Sequence, residues 1–112
     1  MEIRENDNLC IFAPLSAQLN EYESLRLQKN VEDEERFVGI DLQYVQDCTI
    51  DFIYTLKNIA KKKRIGVFNI PSDIFTLFNI MDIDRIANLF VSELDFKESQ
   101  RQLLNRKFSV VR

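Results

Sequence analysis

A chain of 112 residues with 46% apolar and 29% charged side chains, two glycines and two prolines has the composition of one compact folded domain and no room for a second. Its net charge of −3 argues against a general nucleic-acid binder, whose affinity rests on Lys and Arg neutralising phosphates. The absence of histidine removes the commonest general base and the commonest metal ligand. No glycine-rich phosphate loop, Ser-His-Asp set or metal-ligand spacing is present, so no catalytic residue, metal or cofactor is expected.

Residues 1–6 read as an edge strand. Leu9 to Leu15, LCIFAPL, is a short run of branched and aromatic residues closed by Pro14, the signature of a buried strand. Leu15, Leu19, Tyr22 and Leu25 then recur at helical spacing, and Ser16 is placed to cap a helix reaching about Asn30. The acidic cluster Glu32 to Glu35 makes a solvated loop. Phe37 to Leu42 is nearly continuous in apolar character, as in a central strand covered on both faces.

Beyond Thr49, Phe52, Ile53, Leu56, Ile59 and Ala60 repeat at three and four, predicting a helix that ends in Lys61, Lys62 and Lys63, cations that complement its dipole. Ile65 to Ile70 is a third apolar strand. Pro71-Ser72-Asp73 stops it and opens a short helix carrying Ile74, Leu77 and Phe78. Leu89 to Leu94 reads as the last strand, and Lys97 to Lys107 as a polar helix anchored by Leu103 and Leu104. The core is therefore expected over about residues 9–96, with 97–112 as a helix and tail.

Alternating strands and helices predict an α/β fold with a four- to five-stranded, mostly parallel sheet under about four helices. No apolar run reaches the roughly 20 residues that span a bilayer, and MEIRENDN is charged where a signal peptide has its apolar core. A cytoplasmic location without membrane insertion is expected, with Cys10 and Cys48 as reduced, unpaired thiols.

Several phrases, in order, resemble the STAS domain, the family of anti-sigma factor antagonists and of the cytoplasmic domains of sulfate transporters. FAPLSAQ looks like the entry to the family's first helix. FVGIDLQYVQDCTIDF looks like its hydrophobic strand, Asp-Leu, and Asp-Ser-Ser-Gly signature, and KKKRIGVFNIPSDIFTLFNIMDIDRIANLF like the segment that follows. Asp41 and Leu42 match the pair ending the central strand, and Asp47 matches the motif aspartate. Cys48 stands for the first serine and Thr49 for the second, which a partner kinase phosphorylates in the antagonists. Ile50 stands at the glycine, Ala13 at an early glycine and Asp82 at a later one, three departures that call for a negative φ at each position.

The bland reading of Thr49 is a helix cap whose hydroxyl accepts a backbone N–H, worth about 1 kcal/mol. What the resemblance implies is a phosphorylation switch at Thr49. Asp47 is either a loop residue accepting backbone N–H groups or part of the kinase's recognition surface. Cys48 would be a reactive thiol only if the helix terminus outweighed its acidic neighbours. Phe75 and Ile80 fall off the Ile74-Leu77-Phe78 face and, if exposed together near the Thr49 loop, would join Asp47, Cys48, Thr49, Ile50 and Asp51 in a partner-binding patch. The resemblance implies a non-enzymatic module binding an anti-sigma factor or serine kinase. Two alternatives stand beside it: a STAS subunit of a lipid or anion transporter complex, and a small-ligand or nucleotide-binding α/β domain.

Overall fold

The computed structural model describes residues 1–100. In chain order they form β1 (Glu2–Glu5), β2 (Leu9–Ala13), β3 (Gln18–Leu19), α1 (Glu21–Glu32), β4 (Phe37–Asp41), β5 (Asp47–Cys48), α2 (Ile50–Lys62), β6 (Ile65–Phe68), α3 (Ser72–Ile80), a 3-10 turn (Ile83–Arg85) and β7 (Asn88–Leu89). Residues 93–100 form a further helix, α4. Five strands make one sheet in the order β1-β2-β4-β6-β7, parallel throughout except for the antiparallel edge β1. This is the mixed, mostly parallel sheet with four helices that the alternation predicts.

The strands are apolar on both sides because both sides are covered. Val38, Ile40, Ile65 and Val67 face one way and meet Leu27 and Val31 of α1, Phe52, Ile53, Leu56 and Ile59 of α2, and Ile74 and Phe78 of α3. Leu9, Ile11 and Phe68 face the other way and meet Phe96 of α4. Phe96 stacks on Phe68 at 5.3 Å between ring centroids and meets Phe90 edge-on at 5.7 Å. The ring lies over Gly39 and Gly66, register partners on β4 and β6, and a Cβ on Gly66 would come within 2.5 Å of it. These two glycines serve to admit the aromatic ring.

Three expectations need correction. Asn20, not Ser16, caps α1, its Oδ1 accepting the Glu23 N–H at 3.0 Å. Residues 18–19 are drawn into β3 instead, so Ser24, Leu27 and Val31 form the inner face while Leu15, Tyr22 and Leu25 are exposed. The last strand stops at Leu89, because Ser92 opens α4 there: its carbonyl accepts the Phe96 N–H at 3.2 Å and its hydroxyl the Asp95 N–H at 3.3 Å. Leu94 is therefore helical, the helix expected from Lys97 already runs at residue 93, and Leu103 and Leu104 lie outside the described residues. Asp82, finally, has a φ of 61°, so the turn keeps the left-handed backbone and Asp takes it up, whereas Ile50 and Ala13 have no positive φ.

Candidate functional site

The loops after β2, β4, β6 and β7 gather at the carboxyl ends of the parallel strands, where α/β folds form their sites. Two of them are tied together. Gln46 and Asp47 donate their N–H groups to the Ala17 carbonyl at 2.7 and 3.1 Å, and β3 pairs in parallel with β5, Gln18 beside Asp47 and Leu19 beside Cys48. The result is a small second sheet immediately before α2.

Thr49 sits at the N-cap position of α2 with extended backbone, but its hydroxyl caps nothing. It donates instead to the Leu19 carbonyl at 3.2 Å, alongside the Thr49 N–H at 3.0 Å. The cap expected of this side chain is thus replaced by a bond to the neighbouring loop. Asp47 is exposed, and its Oδ1 accepts the Cys48 N–H at 2.8 Å, a loop contact. Ile50 and Asp51 are exposed on the first turn of α2, with Tyr54 one turn further on.

Burial, seconded by the charge of Asp47, pushes the Cys48 thiol up to about 11. Burial likewise raises the Cys10 thiol. Cys48 is therefore protonated at neutral pH, and its alkylation by iodoacetamide at pH 7 should run on the order of a hundredfold slower than that of a free thiol of pKa about 8.5. Timed mass spectrometry checks this; modification of Cys48 at the rate of free cysteine would contradict it.

The polar centre of this end of the sheet is Asp41, whose surroundings the sequence does not reveal. It is 0% exposed. Its carboxylate accepts from Arg4 Nη2 at 2.7 Å, Gln43 Nε2 at 2.8 Å, the Gln43 N–H at 3.0 Å and Asn69 Nδ2 at 3.1 Å. Asn69 meets it from the end of β6 with a φ of 54°, which Asn tolerates better than most residues. Arg4 also bonds to Glu2 and to Glu93 at the start of α4. Burial opposes charging of Arg4, but its three carboxylate partners outweigh that and raise its pKa. Glu93 shows the same balance: burial pushes up, while Lys97 and Arg4 hold it below the ordinary value. Asp41 thus joins the edge strand, the loop leading to Asp47 and the end of β6, and Arg4 extends the network to Glu93 of the last helix.

Phe75 and Ile80 are 43% and 70% exposed. Five residues apart on a helix, they point about 140° from one another. Phe75 lines a groove beside β7 with Ser72, Thr76 and Asn79, and Ile80 lies outside it. The structure does not bring the two into one patch.

Among the described residues one set of potential metal ligands converges, Glu5, Cys10 and Glu34. Arg36 already supplies the cation there, bonding to Glu5 at 2.7 Å and to Glu34 at 2.5 Å. The arrangement is a salt bridge joining the loop before β4 to β1. Among the described residues no helix is long and apolar enough to cross a membrane.

No protein-family model matches the chain. No curated protein matches it significantly. Among solved structures it is similar to a candidate anti-sigma factor antagonist from Thermotoga maritima, with a TM-score of 0.75 and 18% identity, over 89% of this chain and 93% of that one. What this likeness establishes is the fold: the chain has the α/β architecture of that structure, a mostly parallel five-stranded sheet with four helices.

Proposed function

We propose that this protein is a non-enzymatic regulatory module that binds an anti-sigma factor, itself a serine kinase, through the loop and helix start at residues 47–51. The observation that carries this reading is the state of Thr49. Its hydroxyl stands at the mouth of α2 without capping it, so phosphorylation would not cost the helix a side-chain cap. Transfer of the ATP γ-phosphoryl group to Oγ1 replaces the hydroxyl proton, and with that proton goes the bond to the Leu19 carbonyl. The helix dipole favours the added charge of about −1.5 to −2, while Asp47 and Asp51 oppose it. The domain keeps its fold while its exposed rim becomes markedly more negative, which is how a charged interface releases a partner.

Ile50 in place of glycine is compatible with this reading, because its φ is negative and it begins the helix. Exposed Ile50 and Tyr54 supply apolar anchors beside Thr49. The cytoplasmic location of such a partner follows from the same proposal.

Affinity capture from the native host with wild-type, Thr49→Ala and Thr49→Asp protein tests the proposal. A kinase-fold anti-sigma factor retained by the first two and lost with Thr49→Asp is the expected result, with binding weakened at least about tenfold, or about 1.4 kcal/mol. Retention of a transporter subunit by all three proteins would overturn it, as would a cognate kinase that leaves Thr49 unmodified by mass spectrometry.

A further inference from the structure

The groove beside β7 gathers polar side chains that have no partner within the described residues. It holds about 870 Å³ between α3 and α4, a size within the range of pockets that enclose small molecules. Arg64 directly precedes β6, and Asp84 lies in the 3-10 turn before β7. These two strands are parallel, so both charges stand at the same end of the groove. α3 carries the chain back from the far end of β6, which brings Asn79 of its last turn to the charged end beside Asn88. The apolar groups lie further along, with half-exposed Phe75 in the middle and Val91, 85% exposed, beyond the end of β7. Among the described residues, the side chains of Arg64, Asn79, Asp84 and Asn88 make no hydrogen bond or ion pair, and Arg64 is not paired with Asp84. The charges next to them in sequence are already committed: Lys62 to Glu32, Lys63 to the Val31 carbonyl and Arg85 to Asp82.

We propose that this groove binds a small zwitterion with an apolar body, the chemistry of an aromatic amino acid or of a dipeptide ending in one. The ligand's carboxylate pairs with Arg64, its ammonium group pairs with Asp84, and its apolar side chain covers Phe75. The two charges of the groove exclude simpler ligands. An anion alone would meet Arg64 with Asp84 opposing it, and a cation alone would meet Asp84 with Arg64 opposing it. A neutral apolar molecule would take water from both charges and return no hydrogen bond to either. Only a ligand carrying both signs satisfies both. Asn79 and Asn88, whose amides each donate and accept, supply further hydrogen bonds at the same end. None of residues 47–51 lines the groove, so this site is separate from the loop read above as the partner surface.

Titration of the isotope-labelled full chain with L-phenylalanine and with leucyl-phenylalanine, followed by NMR, tests the proposal. A Kd of about 1 mM or tighter is expected for at least one of them, with amide shifts centred on Phe75, Asn79, Asn88 and Leu89. Whichever binds more tightly fixes the length of the ligand. Phenylpropionate and phenethylamine, each lacking one of the two charges, should bind at least about tenfold more weakly than L-phenylalanine. Arg64→Gln and Asp84→Asn should each weaken binding of the zwitterion by a similar factor; both positions are exposed, and each variant's own spectrum verifies its fold. A spectrum unmoved by about 10 mM of either zwitterion overturns the proposal, as does phenylpropionate binding as tightly as L-phenylalanine or a Kd indifferent to both substitutions.

Discussion

Asp41→Ala should lower the stability of the domain by about 3 kcal/mol, near the lower limit for removing one partner of a buried ion pair. The Asp41 side chain is fully buried while Arg4 is partly exposed and keeps Glu2 and Glu93, so the guanidinium is not left without partners. The larger losses fall on Asn69 and on the Gln43 N–H and amide, which have no other acceptor in the same geometry. Asp41→Asn keeps the shape and one acceptor and should cost about half as much. Urea unfolding measures both, with the slope unchanged and only the midpoint moving. Native-state hydrogen exchange should quicken in the loop 42–46 and at the end of β6 around Asn69, elements far apart in sequence that share this carboxylate. A loss below about 1 kcal/mol would mean that the network carries little of the fold's stability.

Phe96→Ala should cost about 3–5 kcal/mol, the range for removing a buried aromatic ring and leaving its cavity. The ring is the main apolar contact of α4 with the sheet, so the variant should also free that helix without disturbing the opposite face, where α1, α2 and α3 pack on a separate cluster. Gly66→Ala perturbs the same contact from below. Its methyl would meet Phe96 at 2.5 and 2.6 Å, and Phe68 and Phe90 hold the ring on two sides, so it cannot swing clear. That overpacking should cost about 1–3 kcal/mol. In the double variant the methyl fills part of the space the ring has left, and the loss should fall short of the sum of the single losses. Strict additivity would show that the ring does not rest on Gly66.

Much of this protein was legible in its sequence because the information is local. Short apolar runs bounded by Pro14 and Pro71, and the repeat from Phe52 to Ile59, state their periods within a dozen residues, and α2, β2, β4 and β6 follow from them. The same local signals misplaced the start of α1, since Leu15, Leu19, Tyr22 and Leu25 recur at helical spacing as readily as Ser24, Leu27 and Val31. Which set turns inward is decided by pairing between Gln18–Leu19 and Asp47–Cys48, nearly thirty residues away. The candidate site divides similarly. Thr49 at a helix mouth is readable from the run before it, but whether its hydroxyl caps the helix depends on where the Leu19 carbonyl lies. The sequence by itself determined the alternation of the main elements and the polar stretch that leads into α2. The tertiary structure alone decided that Asp41 is buried among Arg4, Gln43 and Asn69, that Gly39 and Gly66 receive Phe96, and that Phe75 and Ile80 part company. Periodicity is a property of neighbours along the chain, whereas hydrogen bonds and ring contacts between residues thirty to ninety apart exist only once the strands have been ordered in the sheet.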